Sequence, residues 1–94
     1  MISERAKIDV VADNERVRIQ RFTLPPGAST GRHTHSVDYV IVPYGVCRIR
    51  VDLDSGPVEA TMSEAEPYFR RGGVTHDVTN IMEHPISFLE IELK

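Results

Sequence analysis

Glycine and proline divide this chain into short segments, and that division constrains the fold more than any other feature of the sequence. The runs between them are short and rich in β-branched residues, a pattern typical of many short strands joined by turns. The sequence therefore predicts an all-β fold. The dividing residues are Pro25, Pro26, Gly27, Gly31, Pro43, Gly45, Gly56, Pro57, Pro67, Gly72, Gly73 and Pro85.

The segments differ in how their apolar residues are arranged. From Val46 to Leu53 apolar and polar residues alternate strictly, which predicts a half-exposed strand, whereas Asp38 to Tyr44 is almost wholly apolar, as expected of a strand covered on both faces. Only Ser63 to Glu66 has the pattern of a helical turn, with Ser63 as its N-cap. Strands are predicted at Ala6 to Val11, Glu15 to Leu24, Asp38 to Tyr44, Val46 to Leu53, Val58 to Met62, Tyr68 to Arg70, Asp77 to Ile81 and Ile86 to Leu93.

The length of the chain indicates one small domain, residues 1–94. So many short strands protect their edges best by closing into a barrel or a two-sheet jelly roll. A domain of this size buries only about 60–65% of the surface of its unfolded chain, so that a second copy would add useful apolar burial. We therefore expect a homodimer, with the strand Ala6 to Val11 a candidate to lie on the partner.

Charge and composition exclude several classes of function. The net charge is −3, and the 11 basic residues are scattered among acidic ones, so we expect no nucleic-acid partner. Cys47 is the single cysteine, which leaves no disulfide framework and is best interpreted as a small core residue. No apolar run is long enough for a signal peptide or a membrane span, and we therefore expect a cytoplasmic protein without a membrane partner.

Three histidines form the clearest candidate site. His33 and His35 are two residues apart, so on a strand they would share a face about 6.6 Å apart, close enough to bind one metal ion. A distant segment, residues 70–80, contributes His76. Neutral imidazole is a common ligand of divalent transition metals. The simplest interpretation is one metal site assembled from two strands.

Two sequence motifs around these histidines resemble those of the cupin superfamily of small β-barrels. The first family motif is G(x)5HxH(x)3–4E(x)6G, and Gly27, His33 and His35 match its opening. The second is G(x)5PxG(x)2H(x)3N, and Gly73, His76 and Asn80 match its end. The resemblance covers the whole chain. It implies a jelly-roll barrel, also called a double-stranded β-helix, with His33, His35 and His76 as metal ligands.

The chain departs from the family at the glutamate ligand of the first motif. Counting forward from His35 gives Tyr39 or Val40, whereas counting back from Gly45 gives Asp38. Strand alternation directs Tyr39 inward and Asp38 outward, so Asp38 would be a ligand only if a bulge or turn intervened. Otherwise we expect it to pair with an arginine such as Arg48. Asp38 and Tyr39 are the candidate catalytic residues, with Tyr68 a further candidate acid or base.

Two motif positions and several polar residues have other expected roles. In the second motif Arg71 replaces the family proline and Ala65 replaces a glycine, which affects a turn and not the histidine. Asn80 is interpreted as a strand-end residue and His84, before Pro85, as an exposed loop residue. The remaining polar residues are expected on the surface, namely Arg48, Arg50, Glu90 and Glu92. For the two arginines the alternative is that one of them anchors a substrate carboxylate inside the barrel.

The resemblance implies chemistry on small carbonyl or carboxylic compounds. Family members include dioxygenases, isomerases and decarboxylases, and a three-histidine centre would hold Fe, Mn, Ni or Zn with positions open for a small-molecule ligand. Fold analogy does not choose among these reactions. The alternative is a non-catalytic module that binds a small ligand or metal as a sensor in a catabolic pathway. A purely structural role leaves the convergent histidines unexplained.

Overall fold

The computed structural model describes residues 5–94, which form antiparallel β-strands joined by short turns. Residues 1–4 of the expected 1–94 domain lie outside this range. The all-β prediction is confirmed. The strands are β1 (Lys7–Asp13), β2 (Val17–Leu24), β3 (His33–Thr34), β4 (Tyr39–Tyr44), β5 (Cys47–Leu53), β6 (Gly56–Met62), β7 (Tyr68–Arg70), β8 (Thr75–Asn80) and β9 (Ile86–Leu93).

The strands form two sheets that face each other as a jelly roll. The larger sheet has the order β1-β2-β9-β4-β7, and the smaller has the order β3-β8-β5-β6. Many neighbours in space are distant in sequence, since β9 lies between β2 and β4, and β8 lies between β3 and β5. This topology brings the two histidine segments together, because β3 and β8 are adjacent antiparallel strands.

Alternation along the strands directs apolar side chains between the two sheets. On β5, Cys47 and Ile49 are buried whereas Arg48 and Arg50 are exposed, as the alternating sequence predicted. On β9, Ile86 and Phe88 face inward. The buried apolar core comprises Phe22, Leu24, Ala28, Tyr39, Ile41, Cys47, Ile49, Met62, Val78, Ile86 and Phe88.

Two local predictions differ from the structure. The N-terminal strand extends further than predicted, to Asp13, and pairs with β2 of its own chain through an irregularity between Val10 and Ala12. The segment from Ser63 to Glu66 is a hydrogen-bonded turn and not a helical one, because Ala65 adopts a left-handed φ of 56°. Ala65 thus keeps, at a steric cost, the conformation for which glycine is better suited.

Residues 5–94 contain no helix of the length and apolar character needed to cross a membrane.

Candidate metal centre

Strand pairing brings the three predicted histidines to one point. His33 of β3 lies directly opposite His76 of β8, and the ladder continues beyond β3 because the His35 N–H donates to the carbonyl of Val74. His35 therefore keeps the inward direction of His33, two residues along an extended chain. The Nε2 atoms are 3.1 Å apart between His33 and His35, 3.0 Å between His35 and His76, and 3.1 Å between His76 and His33.

Hydrogen bonding at the far side of one ring defines which nitrogen is free. His33 Nδ1 lies 2.7 Å from the carbonyl oxygen of Gly31. A carbonyl only accepts, so Nδ1 carries the proton and a neutral His33 leaves Nε2 as a bare acceptor. His35 Nδ1 lies 3.3 Å from Oε1 of Glu90, and the ionised carboxylate, which can only accept, favours the same tautomer. At least two bare lone pairs therefore face each other at about 3 Å, an arrangement that a cation would stabilise.

The spacing of the three nitrogens fits the donor set of one transition-metal ion. With metal–nitrogen bonds of about 2.1 Å, ligands at right angles to each other are about 3.0 Å apart, whereas tetrahedral ligands are about 3.4 Å apart. The observed separations of 3.0 to 3.1 Å match the right-angled case. No other group of three or more histidine, cysteine or acidic side chains within residues 5–94 lies close enough to hold an ion.

The surroundings keep the imidazoles neutral. Burial, followed by the proximity of His33 and His76, lowers the pKa of His35 from 6.5 to about 4. Burial and His33 likewise lower the pKa of His76 to about 4, although Asp77 acts in the opposite direction. Neutral imidazole is the form that binds metals, so neither ring needs to lose a proton near pH 7.

The histidines form part of the wall of a cavity of about 390 Å³ between the two sheets. Its walls are mainly apolar, with Tyr39 and Tyr68 among the polar exceptions. Arg70 and Arg71 lie at its exposed rim, and the Arg70 guanidinium lies 4.4 Å from the centroid of the Tyr68 ring. The cavity can therefore hold a small molecule next to the three nitrogens, with cationic groups at the entrance.

Glu90 is a site residue for which the sequence analysis predicted the surface, and that prediction is wrong. The residue is only 5% exposed and lines the cavity. Burial, followed by the charge of Glu92, raises the pKa of Glu90 from 4.5 to about 7. The alternation of the sequence does indicate that Glu90 is buried, because it follows Ile86 and Phe88 at two-residue intervals on the same face of β9.

The structure separates the two candidate catalytic residues. Tyr39 lines the cavity, and its ring stacks on His35 with centroids 3.9 Å apart. Asp38 is not among the residues that line the cavity, and its Oδ1 accepts a hydrogen bond of 2.8 Å from the Gly72 N–H. The structure thus does not bring Asp38 to the histidines, and Arg48, its other expected partner, is exposed on the outer face of β5. A catalytic role for either residue stays a prediction.

Asn80 and His84 are arranged as expected for a strand end followed by a turn. Asn80 is the last residue of β8, and its side-chain Nδ2 donates to the carbonyls of Leu24 and His84 at 2.9 Å. His84 is exposed. Asn80 therefore fixes the turn and does not belong to the group of imidazole ligands.

Comparison with known proteins supports the same family. The chain is 38% identical over 85 residues to the β-alanine degradation protein BauB of Pseudomonas aeruginosa, covering 90% of each chain. A crystal structure of a cupin domain from Bordetella pertussis is similar with a TM-score of 0.97, at 37% identity, and the match covers 100% of this chain and 98% of that one.

A more distant structure shares the fold. A cupin 2 conserved barrel domain protein from Salinispora arenicola has a TM-score of 0.74 at 13% identity, with 95% of this chain and 76% of that one covered. No protein-family model matches the sequence. The paired motifs, the jelly roll with its three-histidine cluster and the similarity along the whole chain lead to one conclusion: the chain belongs to the cupin superfamily, among its small single-domain barrels.

Proposed function

We propose that this cupin is a metal-dependent enzyme that acts on a small carbonyl or carboxylic compound. His33, His35 and His76 would hold one divalent transition metal, Fe, Mn, Ni or Zn. The observation that carries the proposal is the convergence of three Nε2 atoms within 3.1 Å at the wall of the cavity between the two sheets. Such a metal, when bound, supplies a Lewis acid or an oxygen-activating centre.

The cavity supports a small anionic substrate. Arg70 and Arg71 lie at its rim, where their charge would attract a carboxylate, and a guanidinium can bind both oxygens of a carboxylate at once. The inner walls are apolar, with Ile49, Val78 and Phe88 among the lining residues. This combination favours a molecule with a carboxylate at one end and few further polar groups.

Tyr39 is the side chain best placed to act on a substrate held beside the histidines. It is buried against His35, and burial, followed by the charge of Glu90, raises its pKa above the ordinary value of 10. The phenol therefore stays protonated at neutral pH and can donate a hydrogen bond to a substrate oxygen. Tyr68, whose pKa burial raises to about 12, is a second protonated phenol in the same cavity.

The named relative supports a catabolic setting. It is described as a β-alanine degradation protein, and its 38% identity extends over 90% of this chain. We therefore infer that the substrate belongs to the small amino, oxo or hydroxy acids formed during the breakdown of such compounds.

Metal analysis followed by a substrate screen tests this function. Protein purified without a histidine tag should contain one transition-metal ion per chain, and small oxo, hydroxy and β-amino acids should be consumed in its presence, with and without oxygen. Binding without consumption under either condition would favour the non-catalytic sensor. Absence of a transition metal after growth with each of Fe, Mn, Ni and Zn would contradict the proposal.

We further propose that two chains pack through the outer face of the larger sheet. Ile91 on β9 lies between Ile19 on β2 and Val40 on β4, and Val40 is opposite Phe69 on β7, whose side chain is 49% exposed. Four adjacent strands thus each place an apolar residue in one row across this face. Monomers rarely expose such a face, and a second copy with the same face is a self-complementary cover for it.

Light scattering coupled to size exclusion should give about twice the 10.6 kDa chain mass at micromolar concentration. Ile91→Glu should shift the protein to the monomer, because it would bury an unpaired charge in the interface. Arg48→Glu reverses a charge on the outer face of the smaller sheet and should remain dimeric. A wild-type monomer, or equal behaviour of the two variants, would rule out this interface.

A further inference from the structure

Glu90 is a buried carboxyl group on the central strand of the larger sheet, and the proposed chemistry does not use it. Glu90 lies on β9, opposite Gln20 of β2 and Ile41 of β4. The preceding residues on the same face, Ile86 and Phe88, are buried and apolar, whereas Glu92 follows toward the more exposed end of the strand. Carboxylates seldom occupy buried positions without a partner. A buried carboxyl group at this position therefore needs a nearby polar group as its partner.

The nearest partner of Glu90 is His35. Oε1 of Glu90 lies 3.3 Å from Nδ1, while the opposite nitrogen of the same ring, Nε2, lies 3.1 Å from His33 and 3.0 Å from His76. One imidazole ring thus separates the carboxyl group from the point where the three nitrogens meet. An oxygen acceptor at Nδ1 selects the tautomer with the proton on Nδ1 and leaves Nε2 bare.

Two further contacts show that ring orientation is controlled in this cluster. The Gly31 carbonyl accepts from His33 Nδ1 at 2.7 Å and so fixes that ring through the backbone. His35 follows β3, has no such carbonyl contact among the described hydrogen bonds, and is held instead between Glu90 at Nδ1 and the Tyr39 ring on its face. Glu90 therefore lies at Nδ1 of His35 as the Gly31 carbonyl lies at Nδ1 of His33, and both oxygens orient the ring beside them.

We propose that Glu90 is a positioning residue of the metal centre, which orients His35 and keeps its Nε2 free for the ion. The inference rests on the proposed metal site. It concerns geometry and tautomer, and it assigns Glu90 no direct contact with the metal. Carboxylates that accept from the second nitrogen of a histidine ligand are a recurrent means of orienting that ligand.

Metal affinity, measured by competition with a chelator, is the first test. Glu90→Leu should weaken binding by about 10- to 100-fold, the usual effect of removing such a partner. Glu90→Gln should lie between that variant and the wild type, because the amide oxygen still accepts from Nδ1. Glu59→Gln is the matched control: it removes the same charge from an exposed position on β6 and should bind metal like the wild type.

The tautomer of His35 in the metal-free protein is the second test, and it does not depend on metal binding. Nitrogen NMR of ¹⁵N-histidine-labelled protein at about pH 9, where Glu90 is ionised and can only accept, should place the proton on Nδ1 in the wild type and shift it toward Nε2 in Glu90→Leu. A merely structural role would change stability without moving this signal. Glu90→Leu should fold, since an apolar residue of similar volume is tolerated where a buried carboxyl group stood.

The two measurements separate this inference from the proposed function. If the wild type binds no metal, the proposed function fails and with it a role for Glu90 at a metal centre, whereas the tautomer still shows whether Glu90 orients His35. If Glu90→Leu has both wild-type metal affinity and a wild-type His35 tautomer, the positioning role is wrong.

Discussion

Replacing both His33 and His76 by alanine should give a folded protein that no longer retains metal. The double variant removes two of three converging nitrogens and leaves His35 as a single ligand. A loss of at least about a thousandfold in affinity, or roughly 4 kcal/mol, is expected because one imidazole alone binds divalent ions weakly. Metal content by mass spectrometry and competition with a chelator would measure it.

The fold should survive this change. Both histidines are half-buried and line the cavity, so truncation widens existing space and does not open a new hole in the core. His84→Ala is the matched control, because His84 is an exposed histidine whose ring nitrogen Nδ1 lies 3.0 Å from the Pro85 carbonyl oxygen. It should leave metal content unchanged. A stoichiometric ion retained by the double variant would place the site elsewhere.

The same double variant gives a second readout in the metal-free state. In the unfolded chain His35 and His76 titrate near 6.5, whereas in the folded protein burial and neighbouring histidines lower each pKa to about 4. Between these values the two histidines bind more protons in the unfolded state, whereas Glu90, whose pKa is raised to about 7, binds its proton in the folded state and offsets part of the effect. Two groups against one leave the unfolded state with more protons, so the stability of the metal-free wild type should fall as the pH decreases from about 6.5 to about 4. The double variant should show a shallower fall.

The strands were predictable where the sequence alternates. In β5 the residues from Cys47 to Arg50 are alternately buried and exposed, as their alternating apolar and charged side chains predict. The same rule was available for β9. Glu90 was nevertheless expected at the surface, because carboxylates are usually exposed. The alternation that begins with Ile86 and Phe88 would have placed it inside.

The metal centre was predictable in its residues but not in its construction. The spacing of His33 and His35 and the motif around His76 identify the imidazoles from the chain alone. Their meeting depends on β3 pairing with β8 across more than forty residues, a non-local contact that local patterns do not specify. Strand β3 also ends at Thr34, and His35 continues its direction only because the ladder extends to Val74.

The role of Asp38 shows the same limit. Alternation correctly directed it away from the histidines, but the partner it finds there, the Gly72 N–H, belongs to a loop distant in sequence. Gly72 approaches the backbone so closely that an added Cβ would lie 2.7 Å from the carbonyl carbon of Val37. This close approach of two backbones depends on the tertiary fold, so the sequence around Asp38 alone gave no signal for it.

Replacing Asn80 by alanine should destabilise the protein more than any other asparagine substitution. Asn80 is 1% exposed, and its Oδ1 accepts from the Met82 N–H at 2.8 Å while its Nδ2 donates to the carbonyls of Leu24 and His84. Truncation leaves three backbone groups without a partner near the end of β8. At about 1 kcal/mol or more for each, the loss is roughly 3 kcal/mol, a large part of the stability of a small domain.

Asn14→Ala is the matched control for Asn80→Ala, because it removes the same amide from an exposed turn. Asn14 Oδ1 accepts from the Arg16 and Val17 N–H groups, which water can satisfy instead, so the expected cost is below about 1 kcal/mol. In thermal unfolding Asn80→Ala should lower Tm by about 12 °C or more. Below that temperature its metal affinity should stay within about twofold of the wild type, because Asn80 fixes a turn and binds no ion. Similar Tm values for the two variants would mean that the buried amide does not stabilise the end of β8. Loss of metal binding by folded Asn80→Ala would mean that Asn80 is a metal ligand.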